Sequence, residues 1–383
     1  MDMFDYIVIG VGGVGSAALY HLAGRGARVL GLDRFAPGHD RGSSHGRTRI
    51  IRQAYYEHPD YVPLLFRAYE LWEELGRQIG RPLLHEIGLV QAGPPESDVL
   101  AGVRRSAQQL GLAIDELSAG QLCERFAGFR VPDGWQGVFE PKAGYLEVEA
   151  CIEAHVDQAK RHGAELRTGV AVRGWRNVGE CLAVETDAGP FQARGLVVTA
   201  GPWAGQLLAR LQRSLVVRRK IQYWYPAGPL YDAKNGCPAF LFDSPGGIFY
   251  GVPQVESEAA GSDRGGLKVA EHTGGQSVAD PLKVDRSFDL PDNQRVEAFL
   301  ADTLPSIQRS LLRYSICMYT LSHDEHFIVD RDPADPRVVF AAGLSGHGFK
   351  FTAVLGEALA DLAVRGTTTL PIGFLSLARF ASP

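Results

Sequence analysis

The sequence predicts an α/β protein in which a nucleotide-type unit is joined to a second, mainly antiparallel β-sheet. Three observations carry this reading. The first forty residues run as strand, glycine turn, helix and strand. Leu196-Val197-Val198-Thr199-Ala200-Gly201 is an apolar run ending in small residues, as expected of a parallel strand buried on both faces. From Val216 to Cys317 the apolar pattern alternates and is broken by turns such as Ser244-Pro245-Gly246-Gly247, which suits antiparallel pairing.

In the first unit, Phe4 to Ile9 is apolar and rich in β-branched residues, Gly10, Gly12 and Gly15 follow in G-x-G-x-x-G spacing, and Ala17, Ala18, Leu19, Leu22 and Ala23 recur at helical intervals. Ala27 to Leu32 is apolar again and Asp33 closes the unit. Gly10 makes a tight turn, Gly12 lets backbone approach a pyrophosphate, and Gly15 lets the helix pack closely on the strand. With 45 glycines in the chain the spacing alone is weak. The strand before it, the helix after it and an acid about twenty residues on, placed for a ribose hydroxyl, supply the context of a Rossmann-like unit. An acid at position 33 disfavours a 2′-phosphate, so FAD or NAD is expected over NADP.

The 383 residues exceed the roughly 250–300 at which a single core stops growing, so two domains are expected. The net charge of -5 leaves no basic excess for a nucleic-acid partner. A core strand starting near Phe4 leaves no room for a signal peptide, and no apolar run reaches the roughly 18 residues of a membrane span. A cytoplasmic protein with no membrane partner is therefore expected. Five scattered cysteines without a C-x-x-C pair point to neither a disulfide framework nor a zinc site.

After Arg34 and a turn-rich segment, Gly42-Ser43-Ser44-His45-Gly46-Arg47-Thr48-Arg49-Ile50-Ile51-Arg52 combines small residues with cations; Arg49 and Arg52 would share one side if it were helical. Periodicity predicts helices over Tyr61–Leu75, Asp98–Leu110, Val148–Arg161 and from Pro202 to Leu211, and Ser118 with Gln121 forms a capping box. Strands are predicted at Leu89–Ala92, Glu165–Val172, Leu182–Glu185, Phe191–Thr199, Ile248–Gly251 and Gly266–His272. On the last, Lys268 and His272 point to one face, toward a ligand or toward water. His323, Asp324, Glu325 and His326 read as strand, where neighbours diverge, so no metal site is expected. Val338–Gly343, Ser345–Lys350 and Ala353–Ala363 repeat the order strand, glycine turn, helix, so both chain ends are expected to build one cofactor pocket. The expected division is 1–81, 142–215 and 322–383 for the nucleotide domain, and 82–141 and 216–321 for a substrate domain.

The glycine unit, the Gly42–Arg52 stretch, Cys317-Met318-Tyr319-Thr320 followed by Asp324-Glu325-His326-Phe327-Ile328, and Ser345-Gly346-His347-Gly348-Phe349-Lys350 together resemble the monomeric sarcosine oxidase and N-methyltryptophan oxidase family, end to end. The resemblance implies a glutathione-reductase-like flavoprotein of the amino-acid-oxidase type, monomeric, with one FAD attached through a thioether from Cys317 to the flavin 8α-methyl. It implies that Gly10, Gly12, Gly15, Asp33, Arg34, Ser43, Ser44, the Val172 backbone, Gly346, His347, Gly348 and Phe349 hold FAD. Arg49 and His45 would flank the isoalloxazine ring, and Arg52 and Lys350 would bind a substrate carboxylate. Tyr250, His272 and Tyr319 would line the substrate pocket, and Lys268 would stand near flavin N5 as the oxygen-activating cation. The chain departs from the family where Ser44 replaces a frequent histidine at a flavin contact and Arg47 replaces a frequent acid, altering charge near the site entrance.

The implied reaction is oxidation of sarcosine or another N-methyl amino acid to an imine, hydrolysed to amino acid and formaldehyde, with dioxygen reduced to hydrogen peroxide. The alternatives are oxidation of a cyclic imino acid such as pipecolate or proline, or of an N-glycated amino acid, and a dehydrogenase passing electrons to a partner. A flavin-binding module without turnover would be expected to lack the charged pocket, yet Arg49, Arg52, Lys268 and Lys350 are present.

Overall fold

The computed structural model describes residues 3–255 and 265–380, so residues 256–264 of the alternating stretch lie outside the described residues. Strand Met3–Ile9 centres the first sheet. It pairs in parallel with Val29–Leu32 on one side and Phe191–Val198 on the other, and Glu165–Arg167 and Asp335–Ala342 extend the parallel set outward. Ile7, Val8, Ile9, Leu196, Val197 and Val198 are all buried, because helices cover one face and the other packs against a second apolar cluster. Helix Gly13–Gly24 lies against Thr352–Arg365 so closely that a Cβ on Gly356 would run into Ala17. Helix Val62–Ile79 buries Leu65, Tyr69 and Trp72 along the predicted stripe and ends on left-handed Gly80.

The second sheet runs in the order Gln276–Ser277, Val216–Tyr225, Leu267–Glu271, Gly247–Val252, Ala239–Ser244, Leu89–Gly93, Gln136–Glu140, Asp115–Ser118. Arg313–Leu321 flanks the other side of Val216–Tyr225. Only Ala239–Ser244 with Leu89–Gly93 is parallel among these pairs. The period of two sorts its faces: Tyr223, Tyr225, Leu267 and Val269 enter an apolar cluster, while Trp224, Lys268 and Ala270 take the opposite face. A small sheet of Thr48–Ile51, Gly144–Glu147 and Leu84–Glu86 links the two large ones.

Four expectations change. The strand predicted over Glu165–Val172 breaks into Glu165–Arg167 and Val172–Val178 at opposite edges of the first sheet, because Gly169 turns the chain at φ 73° and the Asp187 carboxylate takes the Ala171 amide at 2.9 Å. The helix from Pro202 to Leu211 is three short pieces, interrupted at Leu208, whose φ and ψ of -106° and 82° are not helical. Arg49 lies on a strand, not on a helix. The segment His323–His326 is a turn, not a strand, organised by Asp324, whose Oδ1 accepts from the His326 amide and the Ser322 hydroxyl, both at 3.1 Å. Its side chains have other duties: Asp324 pairs with Arg379, and His326 meets the Tyr61 hydroxyl. Among the described residues no helix is long and apolar enough to cross a membrane.

His155, 2% exposed between helix layers against the Trp72 ring, keeps Nδ1 without a partner. Burial, and then His21, push its pKa down to about 3. Above about pH 6.5 it is neutral folded or unfolded and contributes nothing. As pH falls, the unfolded chain takes up the proton first, so stability should drop by about 1.4 kcal/mol per pH unit from this group alone. His155→Leu should flatten the fall of the urea midpoint between about pH 6.5 and 5; an unchanged slope would contradict this.

Candidate active site

One cavity joins the N-terminal glycine turn to the antiparallel sheet, with about 1900 Å³ of empty space counting its open mouth. At the nucleotide end Gly10 turns at φ 87°, and a Cβ on Gly15 would collide with the Gly10 carbonyl. A Cβ on Gly12 would meet nothing in the protein within 4 Å, which leaves that backbone open to the cavity. Asp33 accepts from the Val11 amide at 2.6 Å and the Phe35 amide at 2.8 Å. Its carboxylate thus ties the turn to the next strand while each oxygen keeps a free lone pair.

Arg34, Ser43, Ser44 and Val172 continue this wall, and Gly346, His347, Gly348, Phe349 and Lys350 close it from the C-terminal end. The hydroxyls of Thr320 and Thr352 are buried at the cavity without a protein partner. Helices Gly13–Gly24 and Thr352–Arg365 both start there without a side-chain cap. The open helix start at Gly13, orphaned hydroxyls and a glycine cradle fit an anionic dinucleotide.

At the other end two strands and the residue after a third, which ends at Glu271 and not at the predicted His272, bring Tyr250, His272 and Tyr319 together. The Tyr319 hydroxyl is 3.5 Å from His272 Nδ1. Burial lowers the His272 pKa to about 3 and raises both phenols, so all three side chains are neutral. Three cations and one carboxylate supply the charge here. Arg49 donates to the Thr48 carbonyl at 2.9 Å and the Ser43 carbonyl at 3.2 Å. Arg52 is held by both Glu57 oxygens at 2.8 Å. Burial alone would raise the Glu57 carboxyl, but Arg52, ahead of His347 and Lys350, holds it at about 2. Lys350 donates to the His347 carbonyl at 2.7 Å, and burial followed by Arg52 pushes its pKa down to about 7.

His45, Cys317 and Lys268 do not line the cavity; they are buried in its wall. His45 meets the Ser315 hydroxyl at 3.4 Å, and burial and Arg49 lower it to about 3. The Cys317 sulfur receives an Arg49 N–H at 3.4 Å and donates to the Ser43 carbonyl at 3.4 Å. Lys268 donates to the carbonyls of Gly46 and Thr48 at 2.8 and 2.7 Å, and burial, then Arg49, drive its pKa far down. Arg47, with φ 68°, faces a separate smaller cavity beside Lys268 and Trp224.

Residues 5–362 match the profile of the FAD dependent oxidoreductase family. The chain belongs to this family. FAD is the cofactor that the cradle fits. The sequence is 40% identical to the monomeric sarcosine oxidase of Streptomyces avermitilis over 385 residues, covering 99% of this chain and 98% of that protein. It is 39% identical to the N-methyl-L-tryptophan oxidase of Yersinia pestis, covering 98% and 99%. Among solved structures it resembles NikD, an unusual amino acid oxidase essential for nikkomycin biosynthesis, with a TM-score of 0.85, 25% identity and 98% coverage of both chains.

Sequence reasoning missed several residues of this FAD-dependent oxidoreductase. Glu57 was signalled only by its place five residues after Arg52. Trp72, read as core, also donates from Nε1 to the Lys350 carbonyl at 3.0 Å. Glu149 takes the Gly46 amide at 2.7 Å and fixes the loop that carries Arg47 and Arg49; it lies 103 residues from Gly46, so no local pattern reveals it.

The glycines give a paired prediction. Gly12→Ala should leave the flavin-free protein as stable as the original and weaken FAD binding, whereas Gly15→Ala should destabilise the flavin-free protein itself. Thermal unfolding of both apoproteins with FAD titration checks this, and equal destabilisation of the two would contradict it.

Proposed function

We propose that the protein oxidises a secondary amino acid, sarcosine or another N-methyl amino acid, to an imine that water cleaves to the amino acid and formaldehyde, with dioxygen reduced to hydrogen peroxide. The observation that carries this is the meeting, in one cavity, of an FAD cradle with two cations, Arg52 and Lys350, and a neutral aromatic wall of Tyr250, His272 and Tyr319. The names of the Streptomyces and Yersinia relatives support it.

FAD, when bound, supplies the two-electron acceptor and its reoxidation by dioxygen. The chain supplies position and field. Arg52 and Lys350 take the substrate carboxylate, with Arg52 giving up Glu57 as it does so. Lys350, its proton loosely held, gains it firmly once an anion arrives. The same cations disfavour a protonated substrate amine, so the substrate binds with a neutral nitrogen carrying the lone pair that oxidation requires. Tyr250, His272 and Tyr319 add no competing charge and exclude water. Lys268 serves the oxygen reaction from within the wall. Cys317, touched by Arg49 and followed by cavity residues Met318 and Tyr319, carries the flavin covalently. The division into a nucleotide and a substrate domain near residues 82, 142, 216 and 322 and a monomeric state belong to the same reading.

Sarcosine should yield peroxide and formaldehyde in equal amounts, and a panel with N-methyl-L-amino acids and L-pipecolate ranks the substrates. Peroxide from pipecolate alone, or from none of them, would sink the reading. Acid-precipitated protein should stay yellow, and Cys317→Ser should release its FAD into the supernatant. Colour lost from the unmutated protein would refute covalent attachment while leaving the oxidation reading intact.

A further inference from the structure

Glu140 ends the strand Gln136–Glu140 on the same face as Val138, which packs in one apolar cluster with Leu241 and Tyr250. It is 1% exposed. Its Oε1 accepts from the Gln53 amide at 2.6 Å and its Oε2 from the Ala54 amide at 3.1 Å. These are the two peptide units after Arg52, and Arg52 Nη1 donates back to the Ala54 carbonyl at 3.3 Å. Arg52 therefore adjoins backbone that one buried carboxylate holds with both oxygens, and Glu57, five residues on, occupies its guanidinium. The titratable groups acting on Glu140 are Arg52 and the Tyr69 phenol, whose hydroxyl is bonded to the Lys142 carbonyl at 2.9 Å. Burial pushes the Glu140 carboxyl up to about 7, against the pull of the two amides and Arg52.

We propose that Glu140 is a positioning residue for substrate binding: its carboxylate clamps the Gln53–Ala54 backbone so that the Arg52 guanidinium exchanges Glu57 for a substrate carboxylate without the chain beneath it shifting, and protonation loosens the clamp. A carboxylate offers acceptors on both oxygens. A carboxylic acid meets one of the two amides with a hydroxyl oxygen, a weaker acceptor, and the carboxamide of glutamine turns a donor toward one of them and leaves it unpaired. The ionised form is thus the one that grips. The inference rests on the assignment of Arg52 to the substrate carboxylate.

The test compares acetate binding to flavin-loaded wild type and Glu140→Gln, read by perturbation of the flavin absorption spectrum. Lys350 also titrates in this range, but it is present in both proteins, so its effect cancels in the ratio of their dissociation constants. That ratio should be about tenfold at about pH 8.5, the equivalent of one unpaired buried hydrogen bond, and fall toward one at about pH 5.5 as the wild type becomes protonated. A merely structural role gives a ratio that does not change with pH, and a flat ratio at any value overturns the proposal. Arg52→Gln separates the two layers. If it leaves acetate affinity unchanged, the assignment of Arg52 fails; if it weakens acetate while the Glu140 ratio stays flat, only the present inference fails. Should Glu140→Gln bind no flavin, hydrogen exchange in the wild type decides. Corrected for intrinsic rates, protection of the Gln53 and Ala54 amides should fall as pH drops through about 7, and constant protection overturns the clamp.

Discussion

Positive charge held out of water at the seam between the two sheets is the constraint on which the rest of the structure depends. Arg49, Arg52, Lys268 and Lys350 all reach this seam, and two of them, Lys268 and Lys350, have their proton affinity lowered by burial. Buried cations are costly unless something solvates them. Here backbone carbonyls do so: Thr48 and Ser43 for Arg49, Gly46 and Thr48 for Lys268, His347 for Lys350. The unusual backbone follows from this. Gly46 at φ 91° and Arg47 at φ 68° turn the chain so that the Gly46 and Thr48 carbonyls both meet Lys268, and Glu149 and Glu140 take up amides of the same Gly46–Ala54 segment.

Such an arrangement is poised for anions. Glu57 occupies Arg52 through both oxygens, and under the proposed reading a substrate carboxylate and the reduced flavin would each add negative charge beside groups whose proton affinity burial lowers. The two lysines differ in location. Lys350 faces the open cavity and is fixed through Trp72 and His347, whereas Lys268 sits in the wall with the Trp224 ring 5.4 Å from Nζ. Under the proposed reading, substrate anchoring and oxygen chemistry would thereby fall to different elements, the C-terminal turn for Lys350 and the second sheet for Lys268.

The sequence made legible what local pattern encodes. The glycine spacing, the unbroken Leu196–Val198 run and the Leu65, Tyr69, Trp72 stripe each follow from burial of one strand or one helix face, and the structure has them where the periodicity puts them. The Ser118–Gln121 capping box forms as read. The Glu165–Val172 run failed because its apolar content is the same whether the chain continues or turns at Gly169, and the turn is fixed by Asp187, in the turn that follows the strand Cys181–Thr186. The His323–His326 segment failed because Asp324 captures local amides, which hydropathy does not register. In the site, the cations were visible as residue types, but their partners were not. Glu57, Glu140 and Glu149 act on backbone or on charge across up to 103 residues, and nothing in a single sequence marks which acids turn inward.

The proposed division of labour among the buried cations is tested most directly by Lys268→Met. Stopped-flow measurement of the two half-reactions should show flavin reduction by sarcosine within a few-fold of the original, with reoxidation by dioxygen slowed about a hundredfold or more, as for removal of a preorganised electrostatic partner. Equal slowing of both half-reactions, or no slowing of either, would contradict it.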